Sequence, residues 1–322
     1  MRWSLAARGD RVDVRWPGHG TTAPEQSPDT KDTAHMTSSS EPRTIRALLA
    51  ASTPWLQKKG SASARLDAEL LLGHALHLRR LDLYLDLDRP LADDEVERCR
   101  ALVRRRGTGE PVAYIVGQRE FWGRSFRVTP AVLVPRPDTE RLVELALARL
   151  PVDAQGVIVD VGTGSGCIVL SLLCERPGLR AVAVDVSAAA LAVAADNAAA
   201  LGVADRVEFR AGDLLQPCAD VRDARLIVAN PPYVRRGDPA LAADVAEHEP
   251  ALALFGEDDD GLGHHRRIVA AAATLLADDG AVLLEVGAEQ GVLGPGLLRP
   301  PFQSVVVERD LAGLDRVVIL QR

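Results

Sequence analysis

Asn230-Pro231-Pro232-Tyr233 sets an amide, a following carbonyl and an aromatic ring on a turn stiffened by two prolines. The run before it, Ala224-Arg225-Leu226-Ile227-Val228-Ala229, reads as a buried parallel strand. Neither proline can donate a ladder hydrogen bond, so the strand stops there. Asn230 therefore falls at the strand's carboxyl end, where open α/β sheets bind their ligands. This arrangement suits a grip on a planar –NH2 group. The Asn230 side-chain oxygen and the Pro231 carbonyl can each accept one N–H, Pro232 holds the turn rigid, and Tyr233 can stack on the plane. Asn230, Pro231, Pro232 and Tyr233 are thus the candidate substrate-binding residues, with Asn230, Pro231 and Tyr233 as the catalytic set. Taken alone, the motif is equally well read as a proline-rich turn.

A second constellation sharpens the chemistry. Asp160-Val161-Gly162-Thr163-Gly164-Ser165-Gly166-Cys167-Ile168 lies between an apolar strand and a helix. Its glycines let the backbone turn sharply and approach a ligand closely, and the helix N-terminus behind them favours negative charge. The spacing is Gly-x-Gly-x-Gly, not the dinucleotide Gly-x-Gly-x-x-Gly, and suits a cofactor bearing a carboxylate, such as S-adenosylmethionine. Asp185 ends the next strand, where an acid can accept from both ribose hydroxyls. It could instead cap the following helix, a task for which Ser187 is also available. Asp213 closes the third strand and could bind an adenine amino group while Leu214 packs on the ring. The expected cofactor contacts are therefore Gly162, Thr163, Gly164, Ser165, Gly166, Asp185, Asp213, Leu214 and Asn230. All lie on one carboxyl edge, and together they indicate methyl transfer to a conjugated nitrogen. Such a nitrogen is a poor nucleophile because its lone pair is delocalised, but in-line positioning can supply about 7–11 kcal/mol. No metal or strong general base is needed, and Glu247 and Glu249 read as solvated loop acids.

These residues need a sheet to hold them. Strands are expected over 157–161, 181–186, 207–211, 226–230 and 281–286, with helices between them at 187–201 and 264–276. Two last strands, 303–307 and 316–320, are joined too tightly for a crossover and must pair antiparallel at the sheet edge. The expected fold is α/β: a seven-stranded, Rossmann-like methyltransferase sheet over 135–322. Ahead of it, residues 41–117 have helical periodicity throughout. Thr44 and Ser63 are expected caps, Asp93 or Asp94 a third helix start, and Leu66, Leu70, Leu71 and Leu76 are among the inward positions. A β-hairpin bridge is expected over 118–134, where Phe121, Trp122 and Phe126 cluster. They either plug the junction or roof the cofactor.

The 322 residues carry 45 acids and 38 Lys plus Arg, a net charge of −7. That balance argues against a protein living on duplex nucleic acid, so no direct nucleic-acid contact is expected. Arg104-Arg105-Arg106 reads as a solvated helix end. No apolar run is long enough to span a membrane. Cys99, Cys167, Cys174 and Cys218 are scattered and, like the seven histidines, show no metal-ligand spacing; His264-His265 read as a solvated pair. Reduced thiols, a cytoplasmic location and a monomer are expected. Residues 1–40 lack periodicity and read as a disordered extension, with a cleaner start at Met36.

Glu120-Phe121-Trp122, the segment from Pro135 to Glu140, the glycine loop, Asn230-Pro231-Pro232-Tyr233, Glu249-Pro250-Ala251-Leu252 and Asp260-Gly261-Leu262 together resemble the PrmC/HemK family of protein-glutamine methyltransferases. The resemblance runs over roughly residues 44–322. It implies S-adenosylmethionine as methyl donor and a helical substrate-recognition domain. It also implies, as substrate, the side-chain amide of the glutamine in the Gly-Gly-Gln loop of class-I peptide chain release factors. Residues 162–166, Asp185 and Asn230 would then contact the cofactor, and residues 230–233 the glutamine. A sister family acting on a ribosomal protein usually lacks the Asp138-Thr139-Glu140 present here. Asn-Pro-Pro-Tyr also serves adenine-amine methyltransferases on nucleic acid, and an idle binding module with the same fold is a third alternative.

Overall fold

The computed structural model describes residues 43–297 and 299–322; the expectations for residues 1–40, including the start at Met36, lie outside the described residues. Among the described residues five helices come first: α1 (Ile45–Lys58), α2 (Ala64–Leu76), α3 (Arg80–Leu85), α4 (Asp93–Gly107) and α5 (Val112–Val116). They share a core of Ile45, Leu49, Leu56, Leu71, Leu72, Leu83, Val96, Cys99, Val103 and Ile115. Thr44 caps α1 by accepting from the Ala47 amide. Ser63 stands at the start of α2, but its hydroxyl donates to Asp67 and makes no cap bond. Leu66 and Leu70 are exposed, contrary to the inward expectation. The buried face of α2 is built from Ala64, Ala68, Leu71, Leu72, Ala75 and Leu76, and helical spacing puts Leu66 and Leu70 on the opposite side.

A hairpin follows, β1 (Gln118–Phe121) and β2 (Arg124–Arg127), paired antiparallel. Phe121 and Phe126 meet edge to face at 6.1 Å and are buried in the core beneath the sheet with α6 (Glu140–Arg149) and α7 (Cys167–Glu175). They belong to the core of the sheet, and none of the three clustered aromatics lines the cleft described below, so the roof over the cofactor is not what they form.

Next come β3 (Gly156–Val161), β4 (Leu179–Asp185), α8 (Ala188–Ala200), β5 (Val207–Ala211) and β6 (Ala224–Ala229). Short helices α9 (Ala243–His248) and α10 (Ala251–Leu254) precede α11 (Gly263–Ala272), β7 (Leu276–Glu285), β8 (Ser304–Arg309) and β9 (Asp315–Gln321). The seven-stranded sheet runs in the order β5-β4-β3-β6-β7-β9-β8. β3, β4, β5, β6 and β7 pair parallel, whereas β9 pairs antiparallel with both β7 and β8. Several element ends differ from expectation by one to five residues. α11 stops at Ala272 rather than at Leu276, because Leu276 opens β7 and pairs with Ala224. β6 ends at Ala229 and β4 at Asp185, each leaving one expected strand residue to a loop. The chain builds outward from β3 through β4 to β5, then returns to set β6 on the other side of β3. That reversal opens a crevice at the carboxyl ends of β3 and β6.

Candidate active site

Sheet register brings the two sequence motifs together. Val161 pairs with Val184 on one side and with Ala229 on the other, so Gly162 just past β3, Asp185 ending β4 and Asn230 just past β6 sit at three neighbouring strand ends. Asp185 pairs in turn with Ala211, which precedes Gly212 and Asp213. The cleft above these ends and its mouth hold about 1060 Å³ free of protein atoms. Its lining includes Gly162, Thr163, Gly164, Ser165, Asp185, Asp213, Leu214, Asn230 and Pro232. Gly166, Pro231 and Tyr233 are not part of that lining: Gly166 stands behind the loop as the residue before α7, and Pro231 is buried.

The glycine loop is held in place by backbone bonds. Gly162 and Thr163 both donate N–H to the Val184 carbonyl at 2.9 Å, and the Thr163 hydroxyl donates to buried Asp160 at 2.7 Å. Burial pushes the Asp160 carboxyl up to about 7. Gly162 and Gly164 have φ of 71° and 55°, a region that penalises side chains. A Cβ on Gly162 would meet no protein atom within 4 Å, so the space in front of the loop is open for a ligand. Asp185 accepts from the Gly164 amide at 2.9 Å through Oδ2 and from the Ser187 amide at 2.9 Å through Oδ1. Each oxygen keeps acceptor capacity for a ribose hydroxyl. Burial raises the Asp185 pKa, and those backbone bonds oppose the rise. Ser187 caps α8 by accepting from the Ala190 amide, which relieves Asp185 of that duty. Asp213 is more committed than expected, because its carboxylate forms an ion pair with Arg267 and accepts from Gln216.

At the opposite wall, Asn230 Nδ2 donates to Thr139 Oγ1 at 3.2 Å. The Tyr233 hydroxyl donates to Glu285 Oε1 at 3.2 Å, and the Gln290 side chain donates to the Tyr233 carbonyl at 3.0 Å. Tyr233 is thus anchored from behind by a buried acid. Burial pushes the Glu285 carboxyl up to about 7, against the Thr139 hydroxyl, Arg316 and Tyr233. The segment over the cleft is also pinned. Glu249 accepts from the Val134 amide at 3.0 Å and from Arg136 at 2.6 Å.

Three expectations therefore change. Glu249 is a buried clasp, 5% exposed, because two donors from the segment before α6 converge on it. His265 is fully buried, with Nε2 at 2.8 Å from the Glu285 carbonyl and its pKa lowered by burial to about 4, whereas His264 lines the cleft. Arg106 is no solvated helix end; it bridges Asp67 at 2.8 Å and Asp244 at 3.5 Å, while Arg104 and Arg105 pair at the surface with Glu97 and Glu110. Thr139 and Glu285 were missed as site residues. For Glu285 the signal existed: it is an acid at the end of the apolar run 281–284, on the same edge as Asp185 and Asn230. Thr139 could not be found that way, because its partner is 91 residues distant.

A seven-stranded sheet ending in an antiparallel pair, with a glycine loop and an acid bonded to that loop on its carboxyl edge, defines an S-adenosylmethionine-dependent methyltransferase. Residues 47–117 match the family described as PrmC N-terminal domain, and residues 140–248 the methyltransferase small domain. Three relatives are each named release factor glutamine methyltransferase. The protein of Nitratidesulfovibrio vulgaris is 41% identical over 283 residues, spanning 87% of this chain and 95% of its own. That of Vibrio cholerae is 40% identical over 279 residues, spanning 86% and 96%. That of Cereibacter sphaeroides is 44% identical over 272 residues, spanning 84% and 95%. The chain belongs to the release factor glutamine methyltransferase family.

Proposed function

We propose that this enzyme transfers a methyl group from S-adenosylmethionine to the side-chain amide nitrogen of the glutamine in the Gly-Gly-Gln loop of class-I peptide chain release factors. The observation that carries the reading is the strand register that sets the glycine loop and the Asn230 amide side by side. Family membership supplies the release factor as substrate. Helices α1–α5 are its recognition domain, and the enzyme works as a cytoplasmic monomer without direct contact to nucleic acid. No helix among the described residues is long and apolar enough to cross a membrane.

S-adenosylmethionine supplies a methyl group made electrophilic by its sulfonium sulfur. Gly162 to Gly166 and the N-terminus of α7 receive its carboxylate end, Asp185 accepts from its ribose hydroxyls, and Leu214 packs on its adenine. No metal takes part. The glutamine amide nitrogen has a delocalised lone pair and a planar –NH2 group. Asn230 Oδ1 and the Pro231 carbonyl accept its two N–H groups and fix it in line with the methyl. Those N–H groups become more acidic as the nitrogen attacks, so both acceptors bind the transition state more strongly than the ground state. Tyr233, anchored through its hydroxyl, stacks on that plane.

Incubation with methyl-labelled S-adenosylmethionine and, separately, a class-I release factor, large-subunit ribosomal protein and nucleic acid tests the reading. Label on the release factor glutamine is expected. Label confined to the ribosomal protein or to nucleic acid would overturn it.

A further inference from the structure

Asn230 can serve the reaction only if its oxygen, not its –NH2, faces the substrate. A side-chain amide is nearly symmetric in shape, so hydrogen-bond partners must choose between the two orientations. Among the described residues, the side chain bonded to the Asn230 amide is that of Thr139, at 3.2 Å, and it is 2% exposed. A hydroxyl alone does not decide the matter, since it can accept from Nδ2 or donate to Oδ1 with equal ease. Behind Thr139 lies Glu285, 1% exposed, whose charged form the Thr139 hydroxyl favours. An ionised carboxylate can only accept. Its Oε1 is taken by the Tyr233 hydroxyl, but Oε2 is buried with no hydrogen-bond partner among the described residues, so it is the acceptor toward which the Thr139 hydroxyl can turn. Turned that way, Thr139 leaves a lone pair of Oγ1 for Asn230, which then points Nδ2 inward and Oδ1 to the cleft. Among the described residues Oδ1 has no protein partner, and Asn230 lines the cleft.

We infer that Thr139 and Glu285 are positioning residues that lock the orientation of the Asn230 amide, with Glu285 also holding Tyr233 through its hydroxyl. This rests on the reading of Asn230 as the acceptor of the substrate N–H. It also gives the Asp138-Thr139-Glu140 segment a physical task. Asp138 pairs with Arg316 at 3.2 Å, and Glu140 accepts from the Trp122 amide at 2.8 Å, so both neighbours hold Thr139 in place. The groups facing Glu285 are Tyr233 after β6, Arg316 of β9, Asp138 and Thr139 before α6, and Cys167 of α7; His265 of α11 bonds its main-chain carbonyl.

Thr139→Val keeps the shape and removes the hydroxyl, whereas Thr139→Ser restores it. At about pH 8, where Glu285 is ionised, Thr139→Val should lower kcat on the order of tenfold to a hundredfold. Its Kd for S-adenosylmethionine should stay within about twofold of wild type, and Thr139→Ser should recover kcat to within about threefold. Glu285→Gln, which can donate as well as accept, should lower kcat in the same manner with cofactor affinity intact. Equal activity of Thr139→Val and wild type would overturn the inference. So would equal impairment of the valine and serine variants, or a loss of cofactor binding that matches the loss of kcat. The assay uses whichever protein substrate the wild type methylates, so a wrong substrate assignment is seen in the wild type and not in the variants. If the wild type methylates none, the side-chain –NH2 resonances of 15N-labelled Asn230 decide. A change in Thr139→Val that Thr139→Ser reverses supports the lock, and unchanged resonances in both overturn it.

Discussion

At the level of single residues, the site divides into atoms that meet the substrate and atoms that aim them. Asn230 belongs to the first group: among the described residues its Oδ1 has no partner, while its Nδ2 is spent on Thr139. Asn230→Ala should therefore lower turnover by about 10²–10³-fold or more, the scale of losing one transition-state hydrogen-bond partner. Cofactor affinity, measured by calorimetry, should largely survive, because the glycine loop and Asp185 are untouched. Near-wild-type turnover would remove Asn230 from the mechanism. Glu285 belongs to the second group, and its burial makes a separate prediction. Its folded pKa, about 7, lies above the ordinary 4.5, so the folded protein holds a proton that the unfolded chain releases. That contribution to stability is complete below about 4.5 and is lost as pH rises through about 7. Glu285→Gln carries no such charge. Its melting temperature relative to wild type should rise between about pH 5 and about pH 8, then level off. A difference that stays flat across that window would mean the carboxyl is not held neutral by burial.

At the scale of elements, the turn from β3 into α7 shows how much a loop depends on its glycines. Gly166 adopts φ of 80° just before α7, and a Cβ there would come within 2.8 Å of the Leu170 side chain and 3.3 Å of Ala194. Gly166→Val should cost about 1–3 kcal/mol in thermal unfolding and should weaken S-adenosylmethionine binding, since the loop shifts with it. Retained affinity would show that Gly166 does not shape the cofactor side. Strand positions were legible because 157–161, 224–229 and 281–284 are nearly continuous apolar runs, as a sheet covered on both faces requires. Element ends were less legible. Residues Ala273 to Leu276 suit a helix as well as a strand by composition, and pairing with Ala224 assigned Leu276 to β7.

Across the whole molecule, long-range polar ties hold the site together. Glu249 clasps the segment 134–136, which shares the cleft wall with Pro250 and Leu252. Glu249→Ala leaves the Val134 amide and Arg136 without that acceptor. It should cost about 2–3 kcal/mol and, because the wall loosens, raise the Kd for S-adenosylmethionine; unchanged melting and affinity would refute the clasp. Arg106 makes a similar tie between α2 and α9 through Asp67 and Asp244. The sequence by itself determined the fold class and the set of residues on one sheet edge, since glycine spacing, strand-ending acids and Asn-Pro-Pro-Tyr are local patterns governed by backbone conformation. Tertiary structure alone decided that Glu249 and His265 are buried, that Asp213 is bound to Arg267, and that Thr139 meets Asn230. Those facts depend on contacts between residues far apart in the chain, and the partners of a buried polar group are fixed only when the elements carrying them pack.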